Sequence, residues 1–386
     1  MPVLSLSGAM STVFDADGPE QVAQLFDVHL DVGLHHGAQL AVYVDGELEV
    51  DLAGGVTGPD GEETTPEQRH LLFSCTKPYA GACLHHLVDE GHLDYDDRVV
   101  EHWPEFAEAG TAKAEATVRH VLSHQGGFPL VPVDGKPDQW ADWDAIAASV
   151  EAADLAFEPG TTAAYHALSY GWAVGELVRR VSGTPIQEYA REAVFEPLGM
   201  DDTSIGLAAG DPDDVATLVG FEEFDRCRHP DAGLGGLSNR EVAERFNRES
   251  IHRAVVPAAT GIGTARDMAR FYACVANGGE LDGVRILSEA VVEEATTVQA
   301  EVERDGTLGT PRRYALGFVL GGTPWDKYGT LSSRRVFGHG GLGSIVGWGD
   351  PAAGIGFAYV TNGIRDEYEH RVRVNALADA VCATFA

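Results

Sequence analysis

Residues 72–79 read L-F-S-C-T-K-P-Y. The apolar run L-L-F that ends at Phe73 reads as a strand running out, and residues 75–90 carry helical periodicity. Tyr79, Cys83, Leu87 and Glu90 fall on successive turns, and Gly91 is a stop signal. Ser74 therefore stands where a loop enters a helix, with Lys77 one turn on and Pro78 in the first turn, where proline is tolerated. A spacing of i, i+3 puts the serine hydroxyl and the lysine amine on one face, within reach of each other. An amine stripped of its proton can take the hydroxyl proton and leave a nucleophilic oxygen. That requires a lysine pKa lowered by burial and by the positive end of the helix. The same helix end offers the backbone N–H of Ser74 as half of an oxyanion hole. Cys75 is a rival nucleophile on paper, but it lies one residue round the helix and is expected to point away from Lys77. The chain has only four lysines (Lys77, Lys113, Lys136 and Lys327), yet S-x-x-K alone is still a weak sign.

Outward from this stretch, residues 21–33 read as a helix. The run A-Q-L-A-V-Y-V-D-G-E-L-E-V-D-L-A-G-G (38–55) reads as two strands joined by Asp45-Gly46, a strong hairpin signal. From about 115 to 290 the pattern is mostly helical, clearest over 117–123, 168–182, 185–195 and 264–277. Strands return at 314–320, 336–339, 344–350 and 354–362, and a final helix spans 367–384. Strands at both ends around a helical middle imply one antiparallel sheet built from both termini, with helices against it: an α+β fold with its cleft at the seam. The expected organisation is a single catalytic domain over 20–386. Its α/β lobe comes from about 20–95 and 295–386, and its mostly helical lobe from about 96–294.

Two further segments carry chemistry. E-P-G-T-T-A-A-Y-H-A-L-S-Y-G-W (158–172) sets Tyr165 after a Pro-Gly turn and before a helix, where a phenol can relay a proton to a leaving group. V-F-G-H-G-G-L-G-S-I-V-G-W-G-D (336–350) carries His339 into glycines that allow close backbone approach to a ligand. Read singly, each has a plainer alternative: a core tyrosine, and a structural histidine at a strand turn.

Together S-C-T-K, Y-H-A and H-G-G, separated by 91 and 174 residues, resemble the three boxes of the serine β-lactamase and penicillin-binding-protein superfamily. The likeness extends through R-H-V-L-S-H-Q-G-G-F-P (119–129), F-E-P-L-G-M-D-D-T (195–203) and G-T-A-R-D-M-A-R-F-Y-A-C-V-A-N-G-G (263–279), and so covers roughly 20–386. Y-H-A-x-x-x-G-W and F-G-H-G-G are most similar in wording to family VIII carboxylesterases. The resemblance implies a β-lactamase/transpeptidase-like fold, with Ser74 as acylated nucleophile, Lys77 as its base and Tyr165 working with that lysine. It implies that His339, Gly340, Gly341 and Leu342 form the substrate and oxyanion edge, Leu342 supplying the second N–H. It implies no metal and no organic cofactor. His124, in L-S-H-Q-G-G, resembles a loop residue of these families and reads as structural.

Two departures bear on the substrate. Ala167 stands where the second box usually ends in Asn, and His339 stands where many relatives carry lysine. A histidine is mostly neutral at pH 7, so both changes weaken the grip on an anionic amide and favour a neutral ester. The expected activity is a serine carboxylesterase, acting on a small-molecule ester through an acyl-enzyme on Ser74. The alternatives are a β-lactamase or D-amino-acid peptidase, or a catalytically silent ligand-binding homologue. G-x-S-x-G, the α/β-hydrolase elbow, does not occur.

Composition sets the outer limits. Sixty acids against 27 bases give a net charge of −33, which repels nucleic acid and anionic membranes and removes both as partners. The excess is spread along the chain, as on a globular acidic surface, and fits a high-salt habitat or an acidic protein from a GC-rich genome. The acidic run F-E-E-F-D (221–225) reads as a solvated face. No apolar run approaches the ~20 residues needed to span a bilayer, and the start lacks a basic n-region, so a cytoplasmic location is expected. The five cysteines form no C-x-x-C, and the pairs His35-His36 and His85-His86 lack metal spacing. The loops 128–143 and 206–258 are the expected pocket walls. Oligomeric state has no signal in the sequence.

Overall fold

A computed structural model describes residues 18–58, 61–212, 214–221 and 236–386. Cys227 and residues 222–225 of the acidic run lie outside them. The elements that position the site are α1 (Pro19–Asp31), β1 (Gly37–Val44), β2 (Glu47–Gly55), α2 (Lys77–Asp89), α3 (Ser169–Ser182) and α4 (Ala265–Ala276). They are followed by β3 (Ala300–Val302), β4 (Arg312–Tyr314), β5 (Val319–Leu320), β6 (Phe337–Gly341), β7 (Ile345–Asp350), β8 (Ile355–Thr361) and α5 (Glu367–Phe385).

Eight strands form one antiparallel sheet in the order β2-β1-β8-β7-β6-β5-β4-β3. Both ends of the chain contribute, as the strand pattern implied. The β1–β2 hairpin turns on Asp45 (φ 47°) and Gly46 (φ 89°), the two positive values of a type I′ turn. Alternation along the strands explains why the sheet is covered on both faces. Leu40, Val42, Val346, Trp348, Phe357 and Tyr359 pack with α1 and α5, whereas Ala41, Tyr43, Ala358 and Val360 face the core shared with α4. Helix α4 lies almost on the backbone of β8: a Cβ on Gly356 would fall 2.4 Å from the Ala273 nitrogen, so only glycine fits there.

The helical part packs against the other side of α2. Helix α3 lies on α2 and on Val118–Leu122, and the Trp140, Trp172 and Phe246 rings meet at 6.2–6.3 Å. A short three-stranded sheet (His70–Leu71, Gly261–Gly263, Ser204–Ile205) joins the two parts and delivers the chain to Ser74.

Local readings shift in four places. The helix expected over 75–90 is α2, preceded by a 3₁₀ turn over Ser74–Thr76. The helix expected over 185–195 is Ile186–Ala190 continued by a π-helical turn, Arg191–Phe195. The single strand expected over 314–320 is a hairpin, with Tyr314 paired to Val319 and Gly317 (φ 81°) folding the chain back between them. Strand β3 was not anticipated.

Candidate active site

Phe73 leads into Ser74 with φ 46° and ψ −134°, a conformation that costs a non-glycine residue about 1–3 kcal/mol. Its ring is buried against Phe246 at 5.1 Å, which holds the turn in place. The 3₁₀ turn that follows eclipses residues three apart. That tightening brings Lys77 Nζ to 3.1 Å from Ser74 Oγ.

Lys77 is fully buried. Its amine donates to the carbonyls of Ala167 (2.8 Å) and Ala258 (3.2 Å). A neutral amine has two N–H donors and one lone pair, so the two carbonyls leave the lone pair for the Ser74 hydroxyl proton. Burial lowers the Lys77 pKa from 10.5 to about 7, against the opposing pull of Cys75 and Asp134. Ala167 lacks the expected side-chain amide but takes part through its backbone. Cys75 points elsewhere: its Sγ–H donates to the His339 carbonyl at 3.2 Å, and burial pushes the thiol up to about 12.

Tyr165 lies beneath the amine, with Lys77 Nζ 4.8 Å from its ring centre. Burial raises its pKa well above 10, a hydrogen bond with the Ser74 side chain opposing the rise. The group is thus a phenol, suited to donating a proton. Its segment is held from both sides by His124, whose carbonyl accepts from Ala164 N (3.1 Å) and whose Nδ1 accepts from His166 N (3.1 Å). The His124 ring also meets the Tyr165 ring at 4.8 Å, tilted by 48°, which fits the structural part read for it in the sequence. Asp305, unmarked in the sequence, accepts from Tyr165 N (3.1 Å) and from the Tyr314 hydroxyl (2.8 Å).

His339 is buried on β6, and burial lowers its pKa to about 3. Nδ1 sits 2.8 Å from the Gly340 carbonyl, which can only accept, so Nδ1 carries the proton and Nε2 keeps its lone pair. Nε2 has no hydrogen-bond partner among the described residues. The glycines beside it serve the protein's own packing: a Cβ on Gly341 would lie 2.8 Å from the Leu72 carbonyl oxygen and 3.2 Å from Phe73 Cβ. The absence of side chains there lets β6 close onto the Ser74 turn, and Gly340 and Gly341 still line the cavity. Strand β5 pairs with β6 only at Phe337 and Gly338, so His339–Gly341 keep an open edge. Among the described residues, neither Ser74 N–H nor Leu342 N–H donates to another group.

Ser74, Tyr165, His339, Gly340, Gly341 and Leu342 line one cavity of about 440 Å³, with Lys77 behind it. Phe246 and Ala259 line it as well, close to the expectation for 206–258. The loop 128–143 does not: Trp140 is buried in the core, and the loop acts on the site through the charge of Asp134 on Lys77. Its place is taken by residues of 308–328 that gave no readable pattern, among them Arg312, Trp325 and Lys327. Among the described residues no group of three or more His, Cys, Asp or Glu could hold a metal ion. The doubled histidines are packed singly, His35 on Tyr359, His85 between Tyr95 and the Leu316 carbonyl, and His86 on Tyr189. No helix among the described residues is long and apolar enough to cross a membrane.

The Beta-lactamase family model matches residues 22–380, and the chain belongs to that family. Among its relatives is the Mycobacterium tuberculosis protein named esterase/beta-lactamase LipL. It is 34% identical over 344 residues, which span 84% of this chain and 77% of that protein. Among solved structures, a family VIII carboxylesterase superposes with a TM-score of 0.82 at 31% identity, covering 95% of this chain and 98% of the other. A penicillin-binding protein homologue from Caulobacter crescentus superposes with a TM-score of 0.78 at 33% identity, over 93% and 96%.

Proposed function

We propose that the chain is a serine carboxylesterase whose acyl-enzyme forms on Ser74. One observation carries this reading: a fully buried lysine with two N–H groups on carbonyls and its nitrogen 3.1 Å from the serine oxygen. In this mechanism Lys77 takes the Ser74 proton as Oγ bonds to the ester carbonyl carbon. The N–H groups of Ser74 and Leu342 hold the oxyanion. The C–O bond to the alcohol then breaks, and the alcohol leaves with the proton held by Lys77, passed through Tyr165. Water repeats the sequence on the acyl-serine, releasing the acid and restoring the Ser74 hydroxyl. The similarity to a family VIII carboxylesterase and to LipL supports ester cleavage.

The name of LipL also includes β-lactamase, which makes that activity the second reading. The test runs p-nitrophenyl butyrate and nitrocefin side by side on the wild-type protein and on Ser74→Ala. Intact-mass measurement after a fluorophosphonate probe is added to it. The expected result is hydrolysis of the ester well ahead of nitrocefin, lost in Ser74→Ala, with one adduct on Ser74. Full ester activity in pure Ser74→Ala would end the assignment. Absence of an adduct with any acylating probe would favour a silent binding homologue.

A further inference from the structure

We propose that Asp305 is a positioning residue for the proton relay: it fixes where the Tyr165 phenol stands, and so decides how well the site expels a poor leaving group. The inference rests on the reading of Ser74 as the acylated residue and of Tyr165 as the group that passes the proton to the alcohol.

Tyr165 has no regular element to hold it. Residues 162–166 run between the Pro-Gly turn and α3, outside any helix or strand, so the phenol stands where its backbone hydrogen bonds put it. Three consecutive N–H groups are each taken. Ala164 N donates to the His124 carbonyl, Tyr165 N to Asp305 Oδ1 and His166 N to His124 Nδ1, all at 3.1 Å. His124 grips the segment on either side. The middle bond, on the tyrosine itself, is the one that Asp305 accepts.

The anchor is itself held from every side. Asp305 is buried on the loop between β3 and β4. That loop is closed by Asp305 N on the Thr310 carbonyl and Gly309 N on the Asp305 carbonyl, both at 2.9 Å. Oδ1 also accepts from Thr307 N (2.8 Å) and Leu308 N (2.7 Å), and Oδ2 from the Tyr314 hydroxyl (2.8 Å). Four donors converge on one carboxylate, which offsets the cost of burying it and leaves it one place to stand. Tyr314 is fully buried with its ring 4.7 Å from that of His124, so the two partners of the segment are packed together. A second seam lies alongside: Gly306 N donates to the Ala163 carbonyl at 3.1 Å, and a Cβ on Gly306 would stand 2.8 Å from Ala164 Cβ. The same loop puts Leu308 and Thr310 on the cavity wall.

This placement matters because a relay works only within hydrogen-bond reach, about 2.6–3.2 Å, and a shift of ~1 Å can cost about 10²-fold. Burial is the main cause that keeps the Tyr165 phenol protonated, and the negative charge of Asp305 adds to it. The effect of losing Asp305 falls on the group that departs. An alkoxide needs a proton to leave, whereas p-nitrophenolate leaves as a stable anion.

The test compares ethyl butyrate with p-nitrophenyl butyrate, which form the same butyryl-enzyme and differ in the group expelled. The quantity read is the ratio of their kcat/KM values, ethyl over p-nitrophenyl, in wild type, Tyr165→Phe, Asp305→Ala and Asp305→Asn, with circular dichroism as the check on folding. The ratio should fall about tenfold or more in Tyr165→Phe, about tenfold in Asp305→Ala and about threefold in Asp305→Asn, whose amide keeps one acceptor oxygen. A merely structural carboxylate would slow both esters alike, so an unchanged ratio in folded Asp305→Ala overturns the inference and leaves the esterase reading intact. Should Asp305→Ala fail to fold, Asp305→Asn decides, and a ratio equal to that of wild type overturns the inference. An unchanged ratio in Tyr165→Phe removes the relay and the role of Asp305 with it, while cleavage of both esters keeps the esterase reading. If the wild-type protein cleaves neither ester, that reading falls and takes the inference with it.

Discussion

Lys77 and Arg373 are both fully buried cations, and both direct their N–H groups at backbone carbonyls. Lys77 reaches Ala167 and Ala258. Arg373 reaches Leu34 (2.7 Å), Gly343 (2.9 Å) and Gly363 (2.9 Å), tying α5 to the end of α1 and to the turn just past Leu342. Burial lowers the pKa of each. A lysine responds by giving up its proton near neutrality and becomes a base. An arginine starts too high to follow and remains a fixed charge that braces three segments. Lys113 belongs with the brace: it caps the end of Trp143–Glu151 through the carbonyls of Val150, Glu151 and Ala153 at 2.7–2.9 Å. The same burial gives chemistry or architecture according to which cation is buried and what faces it: Lys113 meets three carbonyls, whereas Lys77 meets two carbonyls and the Ser74 hydroxyl.

Exchanging the two cations tests the contrast most severely. Lys77→Arg keeps the charge but cannot release it, so ester kcat/KM should fall by about 10³-fold or more, as far as in Lys77→Ala. Activity within tenfold of wild type would mean Lys77 is not the base. Arg373→Lys loses the fork that spans three carbonyls and should lower unfolding stability by about 2–4 kcal/mol. Thermal unfolding measures this, and kcat/KM well below Tm should stay within a few-fold. A larger effect on rate than on Tm would make Arg373 part of the site. Tyr165→Phe should cost about 10²-fold in kcat while leaving KM near its wild-type value.

The smallest effects lie in the pH profiles. Protonated Lys77 cannot act as a base, so the rate should rise about tenfold per pH unit below about 7 and level off above it. A flat profile between pH 6 and 8 would exclude this amine. The surroundings of Arg373 respond in a different window. His29, His35 and His370 are buried neutral beside it, with pKa values lowered from 6.5 first by burial, His29 to about 4. The unfolded chain takes up protons at these residues below about 6.5 while the folded protein does not. Their stabilising contribution is complete above 6.5 and declines as the pH falls toward 4. Tm should therefore drop over pH 6.5 to 5, and a Tm unchanged over that range would show the cluster to be accessible to protons.

How much was legible follows from the range of the forces involved. The β1–β2 hairpin could be read because Asp45-Gly46 sets its turn locally. The hairpin hidden in 314–320 could not, because Y-A-L-G-F-V-L is a continuous apolar run. Gly317 turns it where the chain meets α2 and α3: a Cβ there would lie 3.0 Å from the Tyr170 hydroxyl, and its N–H donates to the Leu122 carbonyl at 2.9 Å. Asp305 and Arg373 were silent for the same reason, since their partners lie 140 and up to 339 residues away. Arg312 left a trace in the basic stretch 304–335, but nothing in that stretch says which of its cations lines the cavity.

By itself, the sequence determined that a hydroxyl and an amine share one face of a helix entry, because a spacing of three residues is a matter of local geometry. Whether that amine holds its proton was decided only by tertiary structure. Its two carbonyl partners are 90 and 181 residues distant, and a lysine loses its affinity for a proton only where the rest of the chain has displaced the water around it.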